Sequence, residues 1–360
     1  MLIYFLLFGF VMFTGMFQYS DVTVVNIKTT KKHYITGSTV AFALILVSVT
    51  FIEAMRGITV GEDLTGYLSW FEYYRAKPLN IQTLLDFSAF EPGFMLLYKV
   101  IGIISTTDHA FIAITSIIIV FLNMFFLYKN SKDFYLSVLL FFGFNHFFTS
   151  MVSLRQYIAI GLTMWILPSL NKKKIKKAIV LAIIAFFFHM TSIIATVCIF
   201  AAYMVRTKKK IIPWVLAISI IALPFAGKLF TFFTAFFPKY QLYYSLGAGG
   251  RIGKLRLIYI LLEIALIIYV YITKDKDEEY TEYSLLLIPA IACGLLTSIP
   301  HIFRIGYYFD YFILLLIPKI VEDLKLNKAF MRFAVVAVSI VFFVYYLSVN
   351  PGNVVPYVFY

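Results

Sequence analysis

Four arginines interrupt or border apolar stretches of this chain: Arg56, Arg155, Arg251 and Arg304. A guanidinium group stays charged and can donate two parallel hydrogen bonds to a phosphate or a carboxylate. Arg155 opens the stretch "RQYIAIGLTMWIL", where a charge costs free energy in a bilayer unless it reaches water or a partner. These positions indicate a polar site that recognises an anion. Two alternatives remain: Arg155 could snorkel to the lipid headgroups, and Arg251 could be an incidental loop charge.

Two carboxylates and one histidine are candidates for acid–base chemistry. Asp63 lies in "RGITVGEDLTGY" and shares a face with Tyr67 if this segment is helical. Glu91 lies in "FEPGF", and His189 lies in "FHMTS". A positioned carboxylate or imidazole can act as a general base. The structural alternatives are a local Arg–Asp pair for Asp63, a helix start for Glu91 and simple packing for His189.

Further polar side chains fall beside these residues. Gln156 follows Arg155, and Tyr308 lies one helical turn after Arg304. Polar groups inside a membrane protein usually face a cavity or a partner. We therefore place Tyr67, Gln156 and Tyr308 with the arginines in one predicted polar site for an anionic ligand.

Glu263 falls near the middle of a predicted membrane helix, where an ionised carboxylate needs a partner. Arg256 lies two turns earlier on the same face, and an arginine from this or a neighbouring helix is the expected partner. A structural ion pair is the favoured interpretation. Asp310 lies six residues after Arg304, on another face, and we do not pair these two.

The elements that position these residues are membrane helices. The chain is 62% hydrophobic and only 14% charged, and its apolar blocks approach the 20 residues that span a hydrocarbon core. The sequence predicts an all-α polytopic membrane protein with about 10–12 transmembrane helices in a single membrane domain, residues 1–360. The predicted spans are 2–18, 36–54, 109–128, 134–150, 153–170, 211–235, 254–273, 283–298, 304–320 and 333–349.

Lysine clusters such as "NKKKIKK" and "RTKKK" orient the chain, because basic loops remain in the cytoplasm. Both flanks of 177–205 are basic, so this block is predicted to form a helical hairpin with His189 near its apex. The loop 21–35 and the cluster "KNSK" are both predicted to be cytoplasmic, and the spans 36–54 and 109–128 already give the two crossings needed between them. Residues 91–104 therefore do not cross, and we expect a re-entrant or interfacial outer segment there. The outer loops 56–108 and 236–253 are predicted to form the mouth of the site, and both termini fall outside.

Arginine and lysine divide differently across this topology. Six of the eight arginines face away from the cytoplasm, where the positive-inside rule gives no reason for them. Lysine is sufficient as an orientation anchor, whereas arginine suits a bidentate anion site. The outer arginines therefore indicate function.

Other classes of protein are disfavoured by composition and motifs. The net charge of +13 is better explained by membrane orientation than by nucleic-acid binding. The spacings HExxH, GxxxxGK and CxxC are absent, and the two cysteines lie in apolar blocks. We predict no metal site and no cofactor, although the sequence leaves a metal requirement undetermined.

An ordered set of short motifs resembles the EpsG-like family of Wzy-type polysaccharide polymerases. In chain order, the motifs read Arg56–Gly61–Asp63–Tyr67, Glu91–Pro92–Gly93–Phe94, Arg155–Gln156–Tyr157–Ile158–Ala159, Phe187–His189–Thr191 with Ser192, and Arg304–Tyr308. They extend over about residues 50–310. One departure is "FHMTS", in which either Thr191 or Ser192 could correspond to the family's hydroxyl residue.

The resemblance implies an enzyme of capsule, exopolysaccharide or O-antigen assembly in the bacterial cytoplasmic membrane, with its active site facing outward. Such proteins join oligosaccharide repeat units carried on undecaprenyl diphosphate. Expected partners are these lipid-linked oligosaccharides, membrane lipids, a flippase and a chain-length regulator. A flippase or transporter, an O-antigen ligase-like glycosyltransferase and a membrane acyltransferase are the alternatives.

Overall fold

The computed structural model describes residues 1–19, 23–25, 33–78, 80, 91–228, 231, 254–274, 277–296, 299, 301–324 and 327–360. The predicted all-α polytopic architecture is confirmed, with one addition. Strands β1 (Thr23–Val25) and β2 (His33–Ile35) pair antiparallel, with Val24 opposite Tyr34, inside a loop that the sequence left unassigned.

The helices of the described residues fall into two compact units, the first formed by Met1–Gly161 with Ile317–Tyr360 and the second by Leu162–Leu316. The first part of the chain forms α1 (Leu2–Gln18), α2 (Gly37–Ala54), α3 (Leu64–Ala76), α4 (Pro92–Ile104), α5 (Asp108–Asn130), α6 (Phe134–Gly143), α7 (His146–Val152) and α8 (Leu154–Thr163). Next come α9 (Ile166–Asn171), α10 (Ile175–Phe188), α11 (Ser192–Val205), α12 (Ile212–Ala222), α13 (Lys254–Thr273), α14 (Glu278–Leu295) and α15 (Ile302–Asp310). The last two are α16 (Ile313–Asp323) and α17 (Lys328–Val349), and short 3₁₀ turns span Lys209–Ile211 and Leu223–Phe225. The prediction that residues 1–360 act as a single domain stays a prediction.

Five helical stretches in the described residues are long and apolar enough to cross a membrane, and α6 with α7 adds a sixth as a pair bent by 62°. The five are Gly37–Ala54, Asp108–Asn130, Lys209–Lys228, Leu255–Thr273 and Lys328–Val349. The predicted spans 134–150, 153–170 and 304–320 are each divided into two shorter helices, whereas the predicted span 2–18 is one helix of 17 residues. The count of ten to twelve crossings stays a prediction.

The breaks have local causes that a hydropathy profile does not detect. Asn145 adopts a left-handed conformation, with φ at 65°, between α6 and α7. An αL residue cannot continue a right-handed helix, and asparagine tolerates it better than most residues. The predicted span 134–150 therefore becomes two helices.

Two predicted local features can be compared with the structure, although the re-entrant or interfacial placement of 91–104 stays a prediction. Helix α4 has only 13 residues, too few to cross a hydrocarbon core of about 30 Å at 1.5 Å per residue. Helices α10 and α11 pack on each other and are joined by the short connection His189–Thr191, which gives the expected hairpin.

In the first unit, α1 packs on α2, α2 packs on α5, and α17 packs on α6. Side-chain caps fix where several helices begin: Thr36 and Asp133 accept hydrogen bonds from the backbone at α2 and α6. At one end of this unit, Asp133 contacts Gln18, Tyr19 and Arg332. The opposite end contains the loop 55–63, the start of α4, the turn 151–154 and the segment 351–360. We call it the Arg155 end.

Candidate active site

Arg155 and Glu91 form the central contact of the Arg155 end. Arg155 Nη1 lies 2.5 Å from Glu91 Oε2, and the two side chains are 22% and 1% exposed. Glu91 occupies the N-cap position of α4, followed by Pro92 as its first residue. The helix dipole favours a carboxylate at this point. The sequence alternative for Glu91 thus holds in part, because Glu91 begins a helix and also binds the arginine.

An aromatic wall adjoins this ion pair. The guanidinium carbon of Arg155 lies 6.0 Å from the ring centroid of Tyr67 on α3, which is within cation–π range. The Tyr98 hydroxyl donates to the Tyr67 carbonyl at 3.0 Å, and Phe94 lies 5.5 Å from the Tyr67 ring. These contacts hold α3 against α4 and so fix Tyr67 beside the guanidinium.

Asp63 occupies the N-cap position of α3, and its backbone carbonyl accepts from the Tyr67 N–H at 3.1 Å. The predicted i, i+4 relation of these residues therefore spans the first turn of a helix. Asp63 is partly exposed, whereas Glu91 is buried. Of the two carboxylates, Asp63 is the one more accessible to a substrate.

Arg56 is fully buried and is hydrogen-bonded to internal acceptors. Its guanidinium donates to the carbonyl of Glu53 at 2.7 Å, to Ser116 Oγ at 3.0 Å and to the carbonyl of Met151 at 3.2 Å. A diphosphate would have to displace these bonds. The geometry favours a structural role for Arg56, and we do not include it in the proposed mechanism.

Gln156 is also buried, at 2% exposure, on the turn of α8 that carries Arg155. The adjacent Tyr157 hydroxyl lies 2.8 Å from His146 Nδ1, which ties α8 to α7. These contacts hold the helix on which Arg155 is displayed. A direct substrate contact for Gln156 stays a prediction.

Three predicted site residues that the structure describes belong to the second unit. His189 ends α10, and its N–H donates to the carbonyl of Ala185 at 2.9 Å. Arg304 is partly exposed near the start of α15, while Tyr308 is fully buried on the same helix. Arg304 and Tyr308, which the sequence placed in one site, thus differ in their exposure to solvent. Arg251 lies outside the described residues.

The second unit contains a charged cluster of one buried acid, Glu263, and two partly exposed partners, Arg256 and Asp310. Arg256 Nη1 lies 2.9 Å from Asp310 Oδ2, and Arg256 Nη2 lies 4.0 Å from Glu263 Oε1. Nη2 also donates to the carbonyl of Ala290 at 2.6 Å. The expected arginine partner for Glu263 is therefore Arg256. A second acid, Asp310, also contacts Arg256. The two residues lie 54 positions apart, so sequence spacing did not predict this contact.

Sequence reasoning missed several buried polar residues at the Arg155 end. Ser150 Oγ donates to Glu53 Oε1 at 2.8 Å, although the two residues lie 97 positions apart. Glu53 lies at the C-terminal end of the apolar helix α2. In the sequence it looks like an ordinary polar residue at a helix boundary, so nothing marks it as having a buried partner. Among the described residues, no group of three or more His, Cys, Asp or Glu side chains is arranged to hold a metal ion.

Long apolar helices with buried ion pairs define a multi-pass membrane protein with charged sites inside its helical units. The chain belongs to the EpsG family, whose model matches residues 39–359. This confirms the resemblance and supports a polysaccharide-polymerase-like function acting on lipid-linked oligosaccharide at the level of the family. No curated protein and no solved structure matches the chain.

Proposed function

We propose that this protein is a polymerase that joins undecaprenyl-diphosphate-linked oligosaccharide repeat units on the outer face of the cytoplasmic membrane. In this reaction, a hydroxyl oxygen of the acceptor unit forms a bond to the anomeric carbon of the donor chain. The bond from that carbon to the diphosphate oxygen breaks, and undecaprenyl diphosphate leaves. The hydroxyl proton passes to a protein base. The products are a longer lipid-linked polymer and a free lipid diphosphate.

The observation that supports this proposal is the pairing of Arg155 with Glu91 beside Tyr67. Charge develops on the diphosphate as it leaves, and a fixed guanidinium in a poorly hydrated site stabilises that charge. Glu91 holds Arg155 in one orientation before substrate arrives. The diphosphate then competes with Glu91 for the guanidinium.

Asp63 is the base that fits this arrangement best. A carboxylate held by an arginine is a weak base, because the neighbouring positive charge favours its ionised form. Glu91 is in this situation, whereas Asp63 is more accessible and begins the helix that carries Tyr67. His189 is the alternative base, from the second unit. Arg304, which is partly exposed, is proposed as a ligand of the second carrier.

Reconstitution with purified lipid-linked repeat unit tests the function. A polymerase gives a ladder of lengths and releases lipid diphosphate. A flippase moves the substrate across the vesicle membrane without a ladder, and a ligase transfers a chain to a different acceptor without extending it. The absence of a ladder from active vesicles would overturn the proposal.

The base is identified by comparing Asp63→Asn, Glu91→Gln and His189→Gln in the same vesicles. We expect a loss on the order of 10²–10⁴-fold for the base, the range typical of general-base removal. The amide at position 63 keeps the size of the side chain, so a lost ladder reflects lost proton transfer. A normal ladder from Asp63→Asn would exclude Asp63.

A further inference from the structure

The segment that follows α17, residues 351–360, lies along the loop that leads to Asp63. Its backbone forms four hydrogen bonds with residues 55–62, and Arg56 pairs with Phe359 as an antiparallel bridge. The four bonds join Gly57 N to Val358 O at 2.7 Å, Gly61 N to Asn353 O at 3.1 Å, Glu62 N to Gly352 O at 2.8 Å, and Tyr360 N to Met55 O at 3.0 Å.

Side chains secure this segment from three other directions. The Tyr357 hydroxyl donates to the carbonyl of Ile52 at 2.9 Å, and the Tyr4 hydroxyl donates to the carbonyl of Val354 at 2.8 Å. The ring of Tyr360 stacks on His109 of α5, with centroids 4.5 Å apart. The segment is therefore bound to α1, α2 and α5 as well as to the loop.

Val152 brings the turn before Arg155 into the same assembly. Gly352 has a φ of +82°, and a Cβ at that position would lie 2.7 Å from Val152 Cγ2. Gly61 has a φ of +111°, and a Cβ there would lie 3.2 Å from the carbonyl oxygen of Met151. Both positions suit only glycine well, for conformation and for close approach. Three chain segments thus meet within contact distance at this turn.

We propose that residues 351–360 are a positioning element that fixes the loop carrying Asp63 relative to the turn carrying Arg155. The bonds to Gly61 and Glu62 end one residue before Asp63, and Val152 lies three residues before Arg155. The proposal rests on the proposed function, because it gives these two residues a shared task. The segment itself touches neither substrate nor reacting atoms. Its effect on catalysis passes through the placement of the two side chains.

The central variant is Gly352→Ala, which keeps the whole chain and pushes a methyl group into Val152. The matched control is Gly66→Ala, because Gly66 lies on exposed helix surface with nothing within 4 Å of the added Cβ. Per folded molecule, we expect Gly352→Ala to extend chains more slowly by on the order of 10- to 100-fold, since small misplacements of reacting groups carry costs of this size. Gly66→Ala should extend chains at the normal rate.

Two further measurements separate positioning from simple stabilisation. Adding Val152→Ala to Gly352→Ala removes the clashing methyl groups but not the strain of a non-glycine residue at a φ of +82°, so it should restore part of the rate and not all of it. Amide hydrogen exchange of Gly57, Gly61 and Glu62 reports the hydrogen bonds to the segment without any enzyme assay. These amides should exchange faster in Gly352→Ala and in a chain ending at Asn350, and should be unchanged in Gly66→Ala.

The outcomes are distinct for the two proposals. Faster exchange of the three amides together with a normal rate of polymerisation would overturn the positioning role. Unchanged exchange in the chain ending at Asn350 would overturn the contact itself. A wild-type protein that exchanges slowly at these amides but forms no ladder would remove the proposed function instead. If the shortened chain does not fold, Gly352→Ala and its Val152→Ala rescue still decide the question.

Discussion

The guanidinium of Arg155 and the carboxylate of Glu91 meet at 2.5 Å although the two residues lie 64 positions apart in the chain. Each of them also begins a helix: Glu91 is the N-cap of α4, and Arg155 is the second residue of α8. Two helix starts therefore face each other through one ion pair. Because Glu91 is almost fully buried, its charge depends on Arg155 for compensation.

Removing one partner should be more damaging than removing both. Glu91→Gln leaves a poorly hydrated guanidinium without its carboxylate, and we expect a loss of about 3–5 kcal/mol of stability at most. The double variant Glu91→Gln with Arg155→Gln should recover much of that stability. It should not recover polymerisation, because Arg155 is the proposed ligand of the diphosphate. Thermal unfolding in detergent and ladder formation provide the two readouts.

The matched control for this pair is Arg206 with Glu278, which lie 2.5 Å apart but with the glutamate 50% exposed. Exposed pairs contribute about 0–1 kcal/mol. Glu278→Gln should therefore change neither unfolding temperature nor ladder substantially. If Glu91→Gln behaves in the same way, the buried pair has no special role.

The shape of the Arg155 side chain should matter as well as its charge. Arg155→Lys keeps a positive charge but loses the planar fork and weakens the contact with the Tyr67 ring. We expect the rate of polymerisation to fall by about tenfold or more, the equivalent of one charge-assisted hydrogen bond of roughly 1.5–3 kcal/mol. The readout is the initial rate of chain extension at saturating lipid-linked substrate. Arg206→Lys, with the same chemical change in the second unit, should polymerise normally.

The predicted sidedness of the Arg155 end is testable with thiol labelling after Cys198 and Cys293 are replaced by serine. Ile58→Cys places a thiol on an exposed residue of the loop 55–63, and Lys132→Cys places one on an exposed residue at the other end of the first unit. A membrane-impermeant maleimide added to intact cells should label position 58 and spare position 132. The reverse pattern would contradict the outer location of the proposed site.

The sequence predicted the structure best where a long apolar run or a cluster of basic residues marks a helix. Apolar length and lysine clusters predicted α2, α5, α13 and α17 within a few residues of their observed bounds, because burial in lipid requires long apolar helices. The hairpin at His189 followed from basic residues on both flanks. Glu91 and its proline were recognisable as a helix start, and they do begin α4.

Long-range contacts could not be predicted from spacing. The Tyr4 hydroxyl donates to the carbonyl of Val354, 350 positions away in the chain. The Arg56 guanidinium donates to Ser116 Oγ and to the carbonyl of Met151. Hydropathy places each residue on a helix or loop but does not say which helix faces which. The division of the span 134–150 at Asn145 was equally hidden, because both halves are apolar. The sequence thus identified the residue types of the site, while the pairing came from packing.

Acid should weaken one contact at the end of the first unit opposite Arg155. Burial raises the pKa of the Glu322 carboxyl. The Lys328 ammonium and the Arg332 guanidinium outweigh burial, and together they hold this pKa below its usual range. A folded-state pKa below the unfolded value means that the unfolded chain binds the proton more readily. This contribution is therefore present at neutral pH and is lost as the pH falls through the folded-state pKa. Glu322→Gln should reduce the acid sensitivity of unfolding slightly, because the carboxylate is partly exposed.

The charged cluster of the second unit contains two acids and one arginine, so its three members should respond differently to neutralisation. Arg256→Gln leaves the buried Glu263 and the largely buried Asp310 without a compensating cation, and we expect a loss of about 3–5 kcal/mol at most. Glu263→Gln removes the surplus negative charge, since Asp310 keeps the closer contact with the guanidinium at 2.9 Å. It should be neutral or stabilising. Thermal unfolding of the two variants in the same detergent measures the contrast. Equal destabilisation by both variants would contradict this expectation, because it would make Glu263 an essential partner of Arg256 and not a surplus charge.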